Sequence, residues 1–539
     1  MQRHHRRHPR RGLVLAAALA MVAAVLGLGH VAQAQTEIDE DIPEVENLQI
    51  VSKVTTGERT KVKIDWDPPS DQMFVSGYRV LYTSDWRPQK WVELRTDNTE
   101  ATLKALWPGR TYTIVVQATT PLALDDWGLP RAISVTTPGA SNAPWVVSLG
   151  DSFISGEGGR WAGNTDLLPS GRSETDTGER AYYDYEDGET IEGCHRSRMA
   201  MIHFQVAKSM NFACSGGITT SKVDSSLFGA LKYWKPGVDR AQNSFDLGEF
   251  GPAVGQAELL ARFADDHPVK MVVLSIGGNN FFFSDIVTSC VKKYLLSSGS
   301  LCSEDERLAV YVSETWQDKV RAEVTVAIQE VVWAMRDAGY DESEWTLVQT
   351  LYPQPIAKSD DMRYFEALGD NPFYRQTRGG CGMWDEDADW AVNTVLETVN
   401  ETIVEAALEA KIWAPELRLV HMDNSNAFRG HELCNVAVAR VNSLNWEDGH
   451  GVSHWRAKGA ADRSEWMKEI DVSNFSDTQK NESFHPGYWG QMALRNCLRQ
   501  LWNNGTIVNG GKCEPIGGLN KYGEPNMRFT FDPSLSLLN

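Results

Sequence analysis

No C-x-x-C pair occurs in this chain, although it carries eight cysteines. That absence leaves little support for a zinc ribbon or a thioredoxin-like redox centre. Positive charge is also scarce: 52 Lys and Arg stand against 72 Asp and Glu, a formal net charge of -20. Nucleic acid is therefore not an expected partner, because phosphate binding needs a basic surface. A neutral substrate is easier to reconcile with this field than an anionic one. Beyond Leu28 no stretch is apolar enough to span a bilayer.

What is present is the balance of a globular protein, 42% hydrophobic and 23% charged over 539 residues, enough for two or three domains. Met1 to Arg11 holds five arginines and no acid, an apolar run spans Leu13 to Leu28, and Val31-Ala-Gln-Ala34 follows. These are the n-region, h-region and cleavage site of a signal peptide over residues 1–34. An uncleaved signal anchor is the alternative, and the arginine pairs leave a twin-arginine route open. Cleavage removes five positive charges and takes the formal charge from -20 to -25. The expectation is a secreted protein. In an oxidising compartment Cys194, Cys214, Cys290, Cys302, Cys381, Cys434, Cys497 and Cys513 favour disulfides. Four bridges allow 105 connectivities, spacing alone does not choose among them, and neighbour pairing is the simplest.

Residues 35–46 are acidic and read as a solvated linker. From 47 to 138 short alternating runs are separated by turns: Lys61–Trp66, Gly77–Tyr82, Lys90–Leu94, Thr111–Gln117 and Ala132–Thr136. Regular strands with polar turns indicate an all-β sandwich. With Trp66 on the second strand, Tyr78 on the third and Leu106-Trp-Pro-Gly-Arg-Thr-Tyr112, the segment resembles a fibronectin type III module. The resemblance implies a turn at Pro108 and Gly109 and a tyrosine corner at Tyr112. Such a module has no chemistry of its own, which leaves it a spacer or an adhesive contact with cell wall or polysaccharide.

Residues 139–144 are a linker by composition, and 145–539 change to an α/β pattern. Trp145–Leu149, Val269–Ile276, Trp345–Leu351 and Leu417–Met422 are four buried-strand candidates, with helical segments between them at Ser303–Ala338 and Asp385–Ile412. That alternation implies a parallel sheet covered on both faces, whose active site lies beyond the carboxyl ends of the strands.

Four loops carry chemistry. Gly150-Asp-Ser152 follows the first strand and would present a serine at a helix start, where its own N–H and the helix dipole favour an oxyanion; Ser and Asp there are equally an ordinary N-cap. Cys214-Ser-Gly216 offers a backbone N–H at a glycine, and Gly277-Gly-Asn279 a side-chain amide; each is also ordinary turn chemistry. His485 precedes a proline, with Glu482 three residues earlier placed to accept a bond from the imidazole. His195 adjoins Cys194 and could face substrate, while His450 and His454 read as structural for want of a third ligand.

In this order Gly-Asp-Ser, Cys-Ser-Gly, Gly-Gly-Asn and x-x-His-Pro strongly resemble the GDSL or SGNH hydrolase superfamily, over roughly Ala143 to Trp502. Its four named residues map to Ser152, Gly216, Asn279 and His485. The resemblance implies a three-layer α/β/α, flavodoxin-like domain with a parallel sheet. Cys194-His-Arg-Ser197 with Ala213-Cys-Ser-Gly216 looks closest to the secreted actinobacterial esterase and lipase branch. In that branch neighbouring cysteines pair, which implies Cys194–Cys214, Cys290–Cys302, Cys381–Cys434 and Cys497–Cys513. Two positions depart from the family: Glu482 stands where Asp is usual, so that either Glu482 or a backbone carbonyl orients His485, and Asn280 replaces Asp in a loop-supporting position.

The implied activity is hydrolysis of carboxylic esters, lipid, small ester or acylated glycan, by a monomer that needs neither metal nor organic cofactor. Ser152 is the expected nucleophile, His485 the base, Glu482 the third member, and Ser152 N–H, Gly216 N–H and the Asn279 amide the oxyanion donors. Deacetylation of polysaccharide is the rival within enzymes, and an inactive cell-surface adhesion protein the rival outside them. The segment from Arg160 to Ile191 is expected to shape the pocket.

Overall fold

The computed structural model describes residues 38, 42–56, 59–70, 75–85, 87–106, 109–120, 127–138, 144–161, 178–184, 188–225, 232–247, 252–296, 299–438, 459–472 and 481–538. The segment expected to be a signal peptide, most of the linker before Pro144, and His450 and His454 lie outside them. The chain divides into two compact units, Met1–Ala143 and Pro144–Asn539.

In the first unit the alternating runs become strands: β1 Glu46–Thr56, β2 Arg59–Asp67, β3 Gly77–Ser84, β4 Arg87–Thr96, β5 Glu100–Leu106, β6 Thr111–Thr119 and β7 Arg131–Thr136. They form two antiparallel sheets, β1-β2-β5 and β4-β3-β6-β7. On β2, Val62, Ile64 and Trp66 point inward and are buried, whereas Lys61 and Asp67 are exposed, the period-two pattern of a half-buried strand. Trp66 meets Tyr78 edge to face at 5.3 Å, and Tyr112 joins the same core. The acidic linker reading needs correcting at its end. Ile42 and Val45 are buried in the sandwich core, and the carbonyl of Ile42 accepts a bond from Leu129 N–H. Two apolar side chains among the acids suffice to draw this segment onto the sandwich.

The second unit is a mixed α/β structure. Its main sheet holds β8 Trp145–Gly150, β9 Lys208–Asn211, β14 Val269–Ser275, β15 Thr346–Thr350, β16 Arg418–Asp423, β17 Gly511–Leu519, β18 Pro525–Phe531 and β19 Ser536–Leu537. Two small hairpins, β10–β11 (Lys222–Ser225, Lys232–Lys235) and β12–β13 (Gln242–Asp246, Pro252–Val254), lie outside it. The order is β18-β17-β16-β15-β14-β8-β9, with β19 beside β16. From β9 through β17 every adjacent pair is parallel; β18 and β19 add antiparallel contacts. The four strands expected from sequence are β8, β14, β15 and β16, and they are adjacent. β8 and β14 are nearly continuous apolar runs because both faces of a parallel strand are covered, whereas β15 and β16 also bury Thr346, Gln349, Thr350 and His421.

Helices used below are α1 Ser152–Ser155, α2 Gln256–Asp266, α3 Phe283–Leu295, α4 Glu314–Asp337, α5 Glu397–Trp413 and α6 Tyr488–Trp502. The helical segment expected from Asp385 is continuous to Trp413, with a π-helical stretch at Ala391–Leu396 just before α5. All four cysteine pairs are the neighbour pairs, Cys194–Cys214, Cys290–Cys302, Cys381–Cys434 and Cys497–Cys513. Among the described residues no helix is long and apolar enough to cross a membrane.

Topology places the site. From β8 the chain passes to β9 on one side and then to β14 on the other, so the strand order reverses at β8. Such a switch point opens a crevice at the carboxyl ends of the strands. Ser152 follows β8 there, and Asn279 follows β14.

Candidate active site

The turn after β8 is tight for a steric reason. Gly150 has φ +133°, and a Cβ at that position would sit 1.9 Å from the carbonyl oxygen of Ser275, so only glycine fits. Asp151 then caps α1 by accepting a bond from Phe153 N–H at 3.1 Å. α1 is a single turn, which leaves the macrodipole invoked from sequence a minor contribution. Ser152 is buried to 6% exposure.

His485 reaches this serine from a loop 333 residues away. Its Nε2 lies 2.6 Å from Ser152 Oγ, and its Nδ1 lies 3.0 Å from the carbonyl oxygen of Ser483. A carbonyl can only accept, so Nδ1 carries the proton and Nε2 presents its lone pair to the serine hydroxyl. The loop is fixed from outside: Lys468 N–H donates to the His485 carbonyl, Phe484 N–H to the Lys468 carbonyl, and Gly487 N–H to the Trp466 carbonyl. Phe484 adopts φ +62° in the process, strained backbone that these bonds hold in place. Burial holds the imidazole below the ordinary histidine value, opposed by the charge of Glu157 and the bond to Ser483.

Gly216 has φ +70°, and a Cβ there would meet nothing within 4 Å, so its backbone borders open space. Asn279 donates one amide hydrogen to the carbonyl of Gly217 at 2.9 Å, tying the second loop to the third. Its amide carries a second hydrogen. Ser152, Gly216, Asn279 and His485 all line one cavity of about 460 Å³. Four of the five residues singled out from sequence therefore converge.

Glu482 does not join them. Its carboxylate is fully buried and accepts bonds from Arg160 Nε (2.5 Å) and Nη2 (3.0 Å), Trp161 Nε1 (2.6 Å) and the Tyr182 hydroxyl (2.5 Å). With four donors already on it, the carboxylate is an anchor for Arg160, Trp161 and Tyr182, and the Ser483 carbonyl is the imidazole's partner. The expectation that Glu482 accepts from His485 is corrected accordingly. His195 is not a wall of the cavity either. Its Nδ1 lies 2.8 Å from both oxygens of the buried Glu157, its ring stacks on Tyr182 at 4.6 Å, and its backbone has φ +48°. Burial alone would lower His195 and raise Glu157; their mutual attraction reverses both shifts. Asn280 supports the loop, its amide reaching Thr219 Oγ1 and Glu323 Oε2, each at 2.8 Å.

Two further residues escaped the sequence reading. Tyr352, two residues past β15, donates its hydroxyl to Asp151 and accepts from Gly278 N–H at 3.1 Å, locking the serine turn to the asparagine loop. Burial pushes Asp151 up to about 7, partly offset by this bond and that from Phe153. Gln256 at the start of α2 clasps both backbone groups of Gly150, at 2.6 and 2.9 Å. Tyr352 lies in a strand-end loop of the kind flagged above; nothing in the local sequence marks Gln256. Among the described residues Cys290, Cys302 and Asp387 form a grouping of metal-ligand type, but both sulfurs are in a disulfide and Asp387 accepts the N–H groups of Cys302 and Ser303.

Comparison with curated proteins gives no match. Among solved structures, a computer-redesigned β-sandwich protein matches at 20% identity and TM-score 0.16, over 18% of this chain and 93% of its own. A myokine structure matches at 15% identity and TM-score 0.15, over 18% of this chain and 98% of its own. A family model, the fibronectin type III domain, matches residues 44–126. The first unit thus contains a fibronectin type III domain, joined in one chain to the α/β unit that carries the Ser152–His485 site.

Proposed function

We propose that the protein is an exported serine hydrolase of the SGNH/GDSL type that cleaves carboxylic esters. The observation that carries this reading is the 2.6 Å contact between Ser152 Oγ and His485 Nε2, with the other ring nitrogen on a carbonyl. That arrangement activates an alcohol as a nucleophile. His485 takes the hydroxyl proton as Ser152 Oγ bonds to the ester carbonyl carbon, giving a tetrahedral oxyanion. Ser152 N–H, Gly216 N–H and the Asn279 amide stabilise it, and losing one such donor costs about a hundred- to a thousandfold in rate. Collapse breaks the bond to the alcohol, which leaves with the proton from His485. Water then attacks the acyl-serine, His485 again accepting and returning a proton, to release the acid and free Ser152. The charge on the imidazolium is met by the Ser483 carbonyl and, through space, by Glu157. Four disulfides support an oxidising location. The fibronectin domain would then tether or space the enzyme at cell wall or polysaccharide.

A fluorophosphonate probe tests the reading. Ser152 is expected to become covalently labelled, and Ser152→Ala to lose both the label and at least about ten-thousandfold in ester turnover while keeping its melting temperature. An unlabelled wild-type protein would leave the adhesion reading in its place.

A further inference from the structure

The cavity that holds Ser152 continues well past the reacting groups. α3 starts four residues after Asn279 and its thirteen residues run for about 18 Å. Along it Phe283, Val287, Val291 and Leu295 recur every four residues, so they share one face, and all four line that cavity. Leu396 and Ile470 add to the same apolar lining. The helix is held from behind: Ile286, Cys290 and Tyr294 are buried, Cys290 is bridged to Cys302, and the Tyr294 hydroxyl donates to the Glu366 carbonyl at 2.6 Å. The wall is therefore preformed.

We propose that this channel receives the acyl chain, and that the substrates are esters of medium to long straight-chain fatty acids, about eight to fourteen carbons. The proposal rests on the serine-hydrolase reading and names its substrate class. Bonds of about 1.5 Å at tetrahedral angles advance an extended chain by about 1.25 Å each, so 18 Å accommodates about fourteen of them. An acetyl group would leave the whole apolar stripe in contact with water. Each methylene that enters it contributes a factor of about three to four.

The experiment uses the full chain and two ester series. With p-nitrophenyl esters from acetate to decanoate, kcat/KM is expected to rise at least about a hundredfold. With acetate esters of rising alcohol length it is expected to stay nearly flat. Val287→Trp should reduce decanoate turnover at least about thirtyfold more than acetate turnover, the equivalent of three lost methylenes. The wild-type profile keeps the test decisive if that variant does not fold. A flat or falling acyl profile, or a gain that follows the alcohol chain, would overturn the channel assignment. A short-alkyl fluorophosphonate separates the two ideas: labelling of Ser152 with a flat profile removes only the channel, and no labelling removes the hydrolase reading itself.

Discussion

The two units bury different things. The fibronectin domain closes around an apolar cluster that includes Val62, Ile64, Trp66, Val80 and Ile114, and no cysteine or histidine occurs between Glu37 and Pro138. The α/β unit holds all eight cysteines and buries Glu157 with His195, Glu482 with Arg160, and Asp151 beneath Tyr352. Burying charge is costly unless every group is paired. Among its described residues the fibronectin domain buries one charged side chain, Arg79, bonded to Gln117, whereas the α/β unit gathers an imidazole, an alcohol and several donors around one cavity.

Reduction should break this contrast most strongly. Each bridge closes a loop of modest length and contributes about 3 kcal/mol. With a reductant, calorimetry is expected to show the α/β transition falling steeply while the fibronectin transition stays put; equal losses would refute the division.

Acid should act next. Burial lowers His203 and His421 to about 4 each. Their folded values lie below the unfolded one, so the stability they allow is complete above about pH 6.5 and is lost as pH falls through 4, about 3 kcal/mol per residue. His195, raised by Glu157, works in the opposite direction, as do Asp151 and Glu432, each pushed up to about 7 by burial. Denaturant melts at pH 7 and 4.5 should show the α/β unit losing less stability to acid in the His203→Gln, His421→Gln double variant than in the parent, and an equal loss in both would refute the assignment.

Glu482→Gln comes third. It takes from the buried Arg160 the carboxylate that accepts two of its hydrogen bonds, a loss of about 3 kcal/mol. The variant should melt earlier and turn over more slowly, with the imidazole's pH limb lowered by less than about one unit, because Glu482 raises His485 only through space. A limb displaced by more than about one pH unit would put the carboxylate on the imidazole after all.

The smallest effect is expected from Ile42→Ala, about 2 kcal/mol confined to the fibronectin domain. Its transition should drop while hydrolysis of a soluble ester is unaltered. An unmoved transition would return residue 42 to the linker.

The first strands of the site were legible because a doubly covered strand favours apolar residues along its length, as in Val269–Leu274 except for the exposed Lys270. Strand β1 was less visible: Gln49, Val51 and Ser52 do not alternate cleanly, and its register with β2 shifts twice. The β17–β18 hairpin lacks a uniform apolar run, and its first strand contains Pro515, Gly517 and Gly518.

The local sequence by itself determined which residues could react, since hydroxyl, imidazole, amide and flexible glycine are properties of Ser152, His485, Asn279 and Gly216 wherever the chain puts them. Which acceptor meets Nδ1 of His485 was decided only in three dimensions. A carboxylate three residues away and a carbonyl two residues away are both close enough along the chain to reach it. Arg160, Trp161 and Tyr182, 300 or more residues upstream, claim all the lone pairs of Glu482 and leave the carbonyl of Ser483 to hold the ring.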